Sequence, residues 1–149
     1  MPLLKHLAWG YIIFLAAPAF AQATSQIELR NLCSDAVFSQ ADIKICIETA
    51  LSNSEKSLAE AEKKLSLALN AWDETSHHIR QAHIELIASQ KAFALYRQQQ
   101  CKLLRSASGG AAGNTQTIRH AACTAELNQR RAAQLLEVIS ELPSKDKSP

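Results

Sequence analysis

The sequence predicts an all-α fold, a three-helix antiparallel assembly made of a helical hairpin plus a third helix and braced by two disulfides. Three observations predict it. Apolar residues recur at intervals of three, four and seven along three long segments, the spacing of one helical face, and no stretch of the mature chain alternates as a half-buried strand does. Helix breakers stay out of those segments: no Pro or Gly occurs from residue 79 to 108, three of the four glycines fall between residues 109 and 113, and Pro143 closes the last segment. Four cysteines, Cys33, Cys46, Cys101 and Cys123, follow a secretory start, a setting in which an even count reads as a disulfide framework.

Met1 to Ala21 carries that start. Lys5 and His6 make a short positive beginning, Leu7 to Ala17 are almost wholly apolar, and Ala19-Phe20-Ala21 matches a signal-peptidase site. The apolar run falls short of the roughly 20 residues a transmembrane helix needs. The expectation is a cleaved signal peptide, no stable membrane insertion after cleavage, and a periplasmic or secreted protein. Of 149 residues, 128 then remain, enough for one domain and too few for two ordinary ones. They divide into a polar lead-in over 22–32, a helical domain over 33–142 and a disordered tail over 143–149. Residues 1–21 hold one of the 16 cations, Lys5, and none of the 14 acids, so the mature charge is close to neutral and selects no partner by itself. No nucleic-acid partner is expected.

Cys33 to Cys46 reads as a small segment of turn followed by helix entry, with Ser34 or Asp35 capping a first turn and Ser39 or Asp42 a second. The first long helix spans about 41–72. Leu51, Leu58, Leu65 and Trp72 repeat every seven residues, Ile47, Ala61 and Ala68 or Leu69 fill the seam, and Glu55, Lys56, Glu60, Lys63 and Lys64 face out. Ser52-Asn53-Ser54 is read as continuous with it. Asp73 to Ser76 is a short polar connection, which makes the next helix an antiparallel neighbour capped by Thr75 or Ser76.

That next helix, residues 79–105, is the element the rest is expected to organise around. Ile79, Leu86 and Phe93 stand seven apart, with Ala82, Ser89 and Tyr96 interleaved. Ser106 to Asn114 is a glycine-rich, mobile loop. The third helix begins near Thr115 or Thr117 and ends by Leu142, with Ile118, Ala122, Ala125, Ala132, Leu136 and Ile139 on one face. Four cysteines allow three connectivities. The sequential one, Cys33–Cys46 and Cys101–Cys123, closes two short loops, each worth about 3 kcal/mol in the chain-entropy model, and ties the second helix to the third across the glycine loop.

The ordered pattern Cys33…Cys46, Gln90-x-x-Phe93-x-x-Tyr96-Arg97-x-x-x-Cys101, a glycine-rich loop, then Cys123-x-x-x-Leu127-x-x-x-Arg131-x-x-x-Leu135 resembles the LprI-like lysozyme-inhibitor domain family. The likeness covers about residues 33 to 140. It implies a small secreted or periplasmic helical domain with two disulfides, whose founding activity is inhibition of lysozyme. Gln90, Phe93, Tyr96, Arg97, Leu127, Arg131 and Leu135 would be the structural core of the motif. The chain departs from the family in Phe93, where Trp is usual, and in Asn128, where Thr is usual. The founding member is a lipoprotein, but this signal ends Ala-Phe-Ala-Gln with no cysteine to lipidate, so membrane anchoring does not carry over.

For Tyr96, Arg97 and Arg131 the residues themselves suggest bracing: a buried Tyr ring with a satisfied hydroxyl, and guanidinium groups spread over loop carbonyls or a carboxylate. The charge pattern is more suggestive. Between Glu85 and Glu126 there is no acid, while Lys91, Arg97, Lys102, Arg105 and Arg119 supply five positive charges. Lys102, Arg105 and Arg119 flank the loop, and with Gly109, Gly110 and Asn114 they are the candidate partner-binding residues, suited to a cleft lined by paired carboxylates such as a glycosidase's. The expected partner is a lysozyme or other cell-wall glycosidase; the alternative is a cell-envelope structural or stress-related interaction protein with no enzyme target, which docks on another envelope protein. His77, His78, His83 and His120 contain no i,i+4 pair, and His77 and His78 are expected on different sides of a helix, so no metal is expected. No Cys-x-x-Cys, nucleophile elbow, phosphate-cradling glycine motif or HExxH occurs. The chain reads as a binding protein without cofactor, not an enzyme.

Overall fold

The computed structural model of the chain describes residues 23–110 and 113–143. The signal-peptide reading and residues 144–149 of the tail lie outside the described residues, as do Ala111 and Ala112 of the loop. Four helices account for most of the rest: α1 Gln26–Ala36, α2 Gln40–Asn70, α3 Ser76–Ser106 and α4 Thr115–Glu141. Both disulfides follow the sequential pairing, Cys33 to Cys46 and Cys101 to Cys123. None of these helices is long and apolar enough to cross a membrane.

The three long helices match the three apolar segments, and α1 is added to them, starting in the polar lead-in and running on to Ala36. Ser34 and Asp35, expected as caps of a turn, thus lie inside a helix capped by Ser25. Eleven residues are too few for a stable isolated helix, so its supports are tertiary. The Ser25 hydroxyl accepts the Glu28 N–H at 3.2 Å, closing the first turn. The Gln26 N–H donates to Glu126 of α4 at 2.8 Å, and Cys33 is bonded to Cys46 of α2. α2 begins at a reciprocal cap, in which Ser39 Oγ accepts from the Asp42 N–H and donates to its carboxylate. It runs unbroken through Ser52-Asn53-Ser54, and there the buried Ser54 hydroxyl is satisfied by bonding back to the Leu51 carbonyl at 2.7 Å.

Side-chain pairings give the directions of the helices. Asn114 reaches Gln40 and Asn128 reaches Ser54, both across 74 residues, so α2 and α4 run parallel. Along α3 and α4 the partners converge instead: Ser89 with Arg131, Arg97 with Asn128, Cys101 with Cys123. α3 is therefore antiparallel to α4, giving up-down-up topology with α1 laid across α2 and α4.

α3 is not the organising element. α4 touches all three other helices, its interface with α2 is the largest, and α2 and α3 meet least. The reason lies in side-chain size. α4 buries Ala121, Ala122, Ala125 and Ala132, small residues that let α2 approach closely. α3 buries only Leu86 and Cys101 among the described residues, and its facing positions include the polar Ser89 and Arg97. One expected core position on α4 also shifts by one residue. Leu135 is buried at 2 % exposure while Leu136 turns outward at 45 %.

The core is two apolar clusters with a polar layer between them. Near the Cys33–Cys46 staple, Ile43 and Ile47 pack on Ile118, Ala121 and Ala122. At the other end, Leu58, Ala61, Leu65 and Leu69 pack on Ala132, Leu135 and Leu86, with Trp72 and Phe93 at the margin. Between them Ser54 and Asn128, both buried, join α2 to α4.

Candidate functional site

The glycine loop and the α1–α2 turn come to the same end of the bundle, tied by the Asn114 side-chain amide donating to the Gln40 carbonyl at 3.5 Å. The loop is anchored at its edges. Gln116 donates to the Gly109 carbonyl at 3.0 Å, and the backbone N–H groups of Ser108 and Gly109 continue the end of α3 as turns. Gly109 and Gly113 have φ of 59° and 72°, left-handed values that a side chain resists. Nothing lies within 4 Å of a Cβ built at Gly109 or Gly110, so this surface is open.

Of the candidate contact residues, Lys102 and Arg105 are exposed on the last two turns of α3. Asn114 is the N-cap residue of α4 but makes no side-chain cap bond, its amide being turned to α2. Arg119 is half-buried in a cleft of about 200 Å³ between α1 and the starts of α2 and α4, which it shares with Arg30, Ser34, Gln40 and Thr115. Burial, and secondarily the charge of Arg119, hold the Arg30 pKa below its ordinary value.

One residue at this end escaped the sequence reading. Phe38, between α1 and α2, is fully exposed. An aromatic ring in this position offers a large apolar face to a partner. The signal available for it was its place in the short Cys33–Cys46 segment, on no helical face.

The motif residues lie lower, where α3 crosses α4. Arg97 donates to the Asn128 side-chain carbonyl, and the Asn128 NH2 donates to Ser54 at 3.1 Å, so one buried chain of polar groups links three helices. Phe93 lies under two guanidinium groups, Arg97 at 5.4 Å and Arg131 at 5.8 Å from the ring centre. Arg131 donates to Ser89, and its Nε is buried without a partner. The arginines thus brace helices through a hydroxyl, an amide and a ring, where loop carbonyls or a carboxylate were expected. Leu135 is buried, and Gln90 and Leu127 are half-buried. Tyr96 differs from expectation: it is 54 % exposed, its ring outside the core. Below this layer an apolar groove of about 300 Å³ opens where α2 and α3 diverge, walled by Leu65, Leu69, Leu86, Leu135 and Val138.

The histidines do other work. His77 and His78 meet edge to face at 5.5 Å, though they were expected on different sides of the helix, and His83 hydrogen-bonds Asn70 at 2.9 Å. Among the described residues no three His, Cys, Asp or Glu side chains group as a metal site.

No curated protein matches the chain, and no solved structure matches it. One family model does, that of lysozyme inhibitor LprI, across residues 33–135, a span that opens on the first disulfide cysteine and closes on the last buried leucine of α4. With well over half of its length so matched, the chain belongs to the LprI lysozyme inhibitor family.

Proposed function

We propose that the protein is a periplasmic or secreted inhibitor of a lysozyme or related cell-wall glycosidase, acting by binding and catalysing nothing itself. Family membership over residues 33–135 is the observation that carries this reading, and two disulfides suit an oxidising compartment. We assign the contact to the end of the bundle that holds the Ser106–Asn114 loop. Support comes from the open glycine turn, from exposed Lys102 and Arg105 with no acid between Glu85 and Glu126, and from bare Phe38 beside them. Phe38 would fill an apolar subsite while the cations meet the carboxylates that flank a scissile glycosidic bond. Arg119 belongs to the same end, set back in its cleft.

Substitution separates binding from folding here. The variants Phe38→Ala, Lys102→Ala with Arg105→Ala, and deletion of Gly109-Gly110 should each weaken inhibition of a responsive lysozyme at least tenfold while helicity and Tm stay within error. A parallel fall in Tm would place these residues in the fold instead. A second reading, an envelope protein that docks on another protein, draws on the exposed Ile84, Ile87, Leu95 and Leu103 of α3. On that reading Leu95→Gln with Leu103→Gln removes the association and the loop variants do not.

A further inference from the structure

The cleft that holds Arg119 is lined by two arginines with no counter-charge among the described residues. Arg30 comes from α1, and it is near enough for the Arg119 charge to act on it. Both line a cleft of about 200 Å³, together with the polar residues Asn31, Ser34, Gln40 and Thr115 and the apolar Ile43 and Ile118. Among the described residues no carboxylate lines this cleft. The two ion pairs among the described residues, Lys44 with Glu48 and Arg130 with Glu126, involve neither arginine. Glu126 of α4, which touches α1, already accepts from Gln26 and Arg130. Arg30 uses its Nε on the Gln26 carbonyl at 3.2 Å, while the Nε of Arg119 is buried with no partner among the described residues. A buried donor on a charged group without an acceptor is costly.

The same cleft takes in the first turn of α4, through Thr115. That turn carries no acidic residue and receives no side-chain cap from Asn114, so its backbone N–H groups add positive potential on the same side. Two arginines, two hydroxyl residues and two amide residues around a small open volume, with Ile43 and Ile118 as its apolar wall, are complementary to a compact group with a double negative charge and several acceptor oxygens.

We propose that the Arg30–Arg119 cleft is a binding site for a tetrahedral oxyanion of the phosphate class, held by both guanidinium groups and by the hydroxyls of Ser34 and Thr115. The site does not depend on the inhibitor reading, since it lies within one molecule and needs no glycosidase. Occupancy supplies a counter-charge for both guanidinium groups and relieves the repulsion between α1 and α4, so the anion also fastens α1 to the bundle.

The test is a titration of the oxidised protein with inorganic phosphate, at constant ionic strength held with chloride, following arginine Nε–H resonances by NMR. Saturable displacement of the Arg30 and Arg119 signals is expected, with an apparent affinity weakened at least tenfold in both Arg30→Gln and Arg119→Gln. A parallel arm with methyl phosphate distinguishes the sources: equal binding assigns the site to a phosphoryl group on a larger carrier, and loss of binding assigns it to the free anion. Displacements that rise linearly without saturating, or that chloride alone reproduces, overturn the site. If either glutamine variant fails to fold, Arg30→Lys and Arg119→Lys replace them, and affinity unchanged in both overturns it equally.

Discussion

Asn128 is wholly buried, with its carbonyl toward Arg97 and its NH2 toward Ser54. Truncating it to Ala leaves a hydroxyl and a guanidinium without their partners, so Asn128→Ala should cost about 1–3 kcal/mol in urea denaturation. Phe93 offers a second residue-scale test. The ring is only half-buried and its value lies partly in the two guanidinium groups over it. Phe93→Ala should cost about 2 kcal/mol, below the range for a fully buried Phe, while Phe93→Trp should be tolerated because Trp presents the better face to a cation. Tyr96→Ala, by contrast, should stay within about 0.5 kcal/mol of the parent, as exposed substitutions do. Phe93 could be recognised as structural from its spacing, and Arg97 and Leu135 from the family motif, whereas spacing alone pointed to Leu136. Tyr96 could not be placed, since helical periodicity gives a direction but not the width of the covered face, and α3 is covered mainly from the α4 side.

At the scale of elements, the extents of α2, α3 and α4 were legible because each carries apolar residues at helical spacing between clear breakers. α1 was not. Its one buried residue is Cys33, and no period can be read from a single position. The same fact predicts its behaviour. In a Cys33→Ser, Cys46→Ser variant, hydrogen exchange should show protection lost over residues 26–36 and kept in α2 and α4, since α1 then relies on the Glu126 contact and a small apolar patch. Opening the other bridge, with Cys101→Ser and Cys123→Ser, should cost about 3 kcal/mol of global stability, because it releases a 22-residue separation between two helices of the main bundle. The place of α4 at the centre was hidden for a related reason. Its close approach to α2 rests on alanines, which add little to an apolar pattern yet decide how near two helices can come.

Across the whole molecule, the fold class, the disulfide pairing and the family were readable from the sequence, because cysteine order, breaker positions and motif spacing all act at the level of the chain. The assembly of the candidate surface was not. Phe38 and Arg30 precede the glycine loop by some seventy residues, and only the parallel register of α2 with α4 brings the α1–α2 turn beside it. One end of the bundle thus collects an exposed aromatic, an open glycine turn, exposed cations and a pair of arginines without a counter-ion. The central claim is that this end belongs to an inhibitor. The most direct measurement is a titration of the oxidised protein into lysozymes of several types, following cell-wall lysis and direct binding together. Saturable one-to-one inhibition of at least one type, lost in Phe38→Ala and in the Lys102→Ala, Arg105→Ala pair, is the predicted result. Absence of binding to every type would contradict the account and leave the family likeness describing a disulfide-braced scaffold alone.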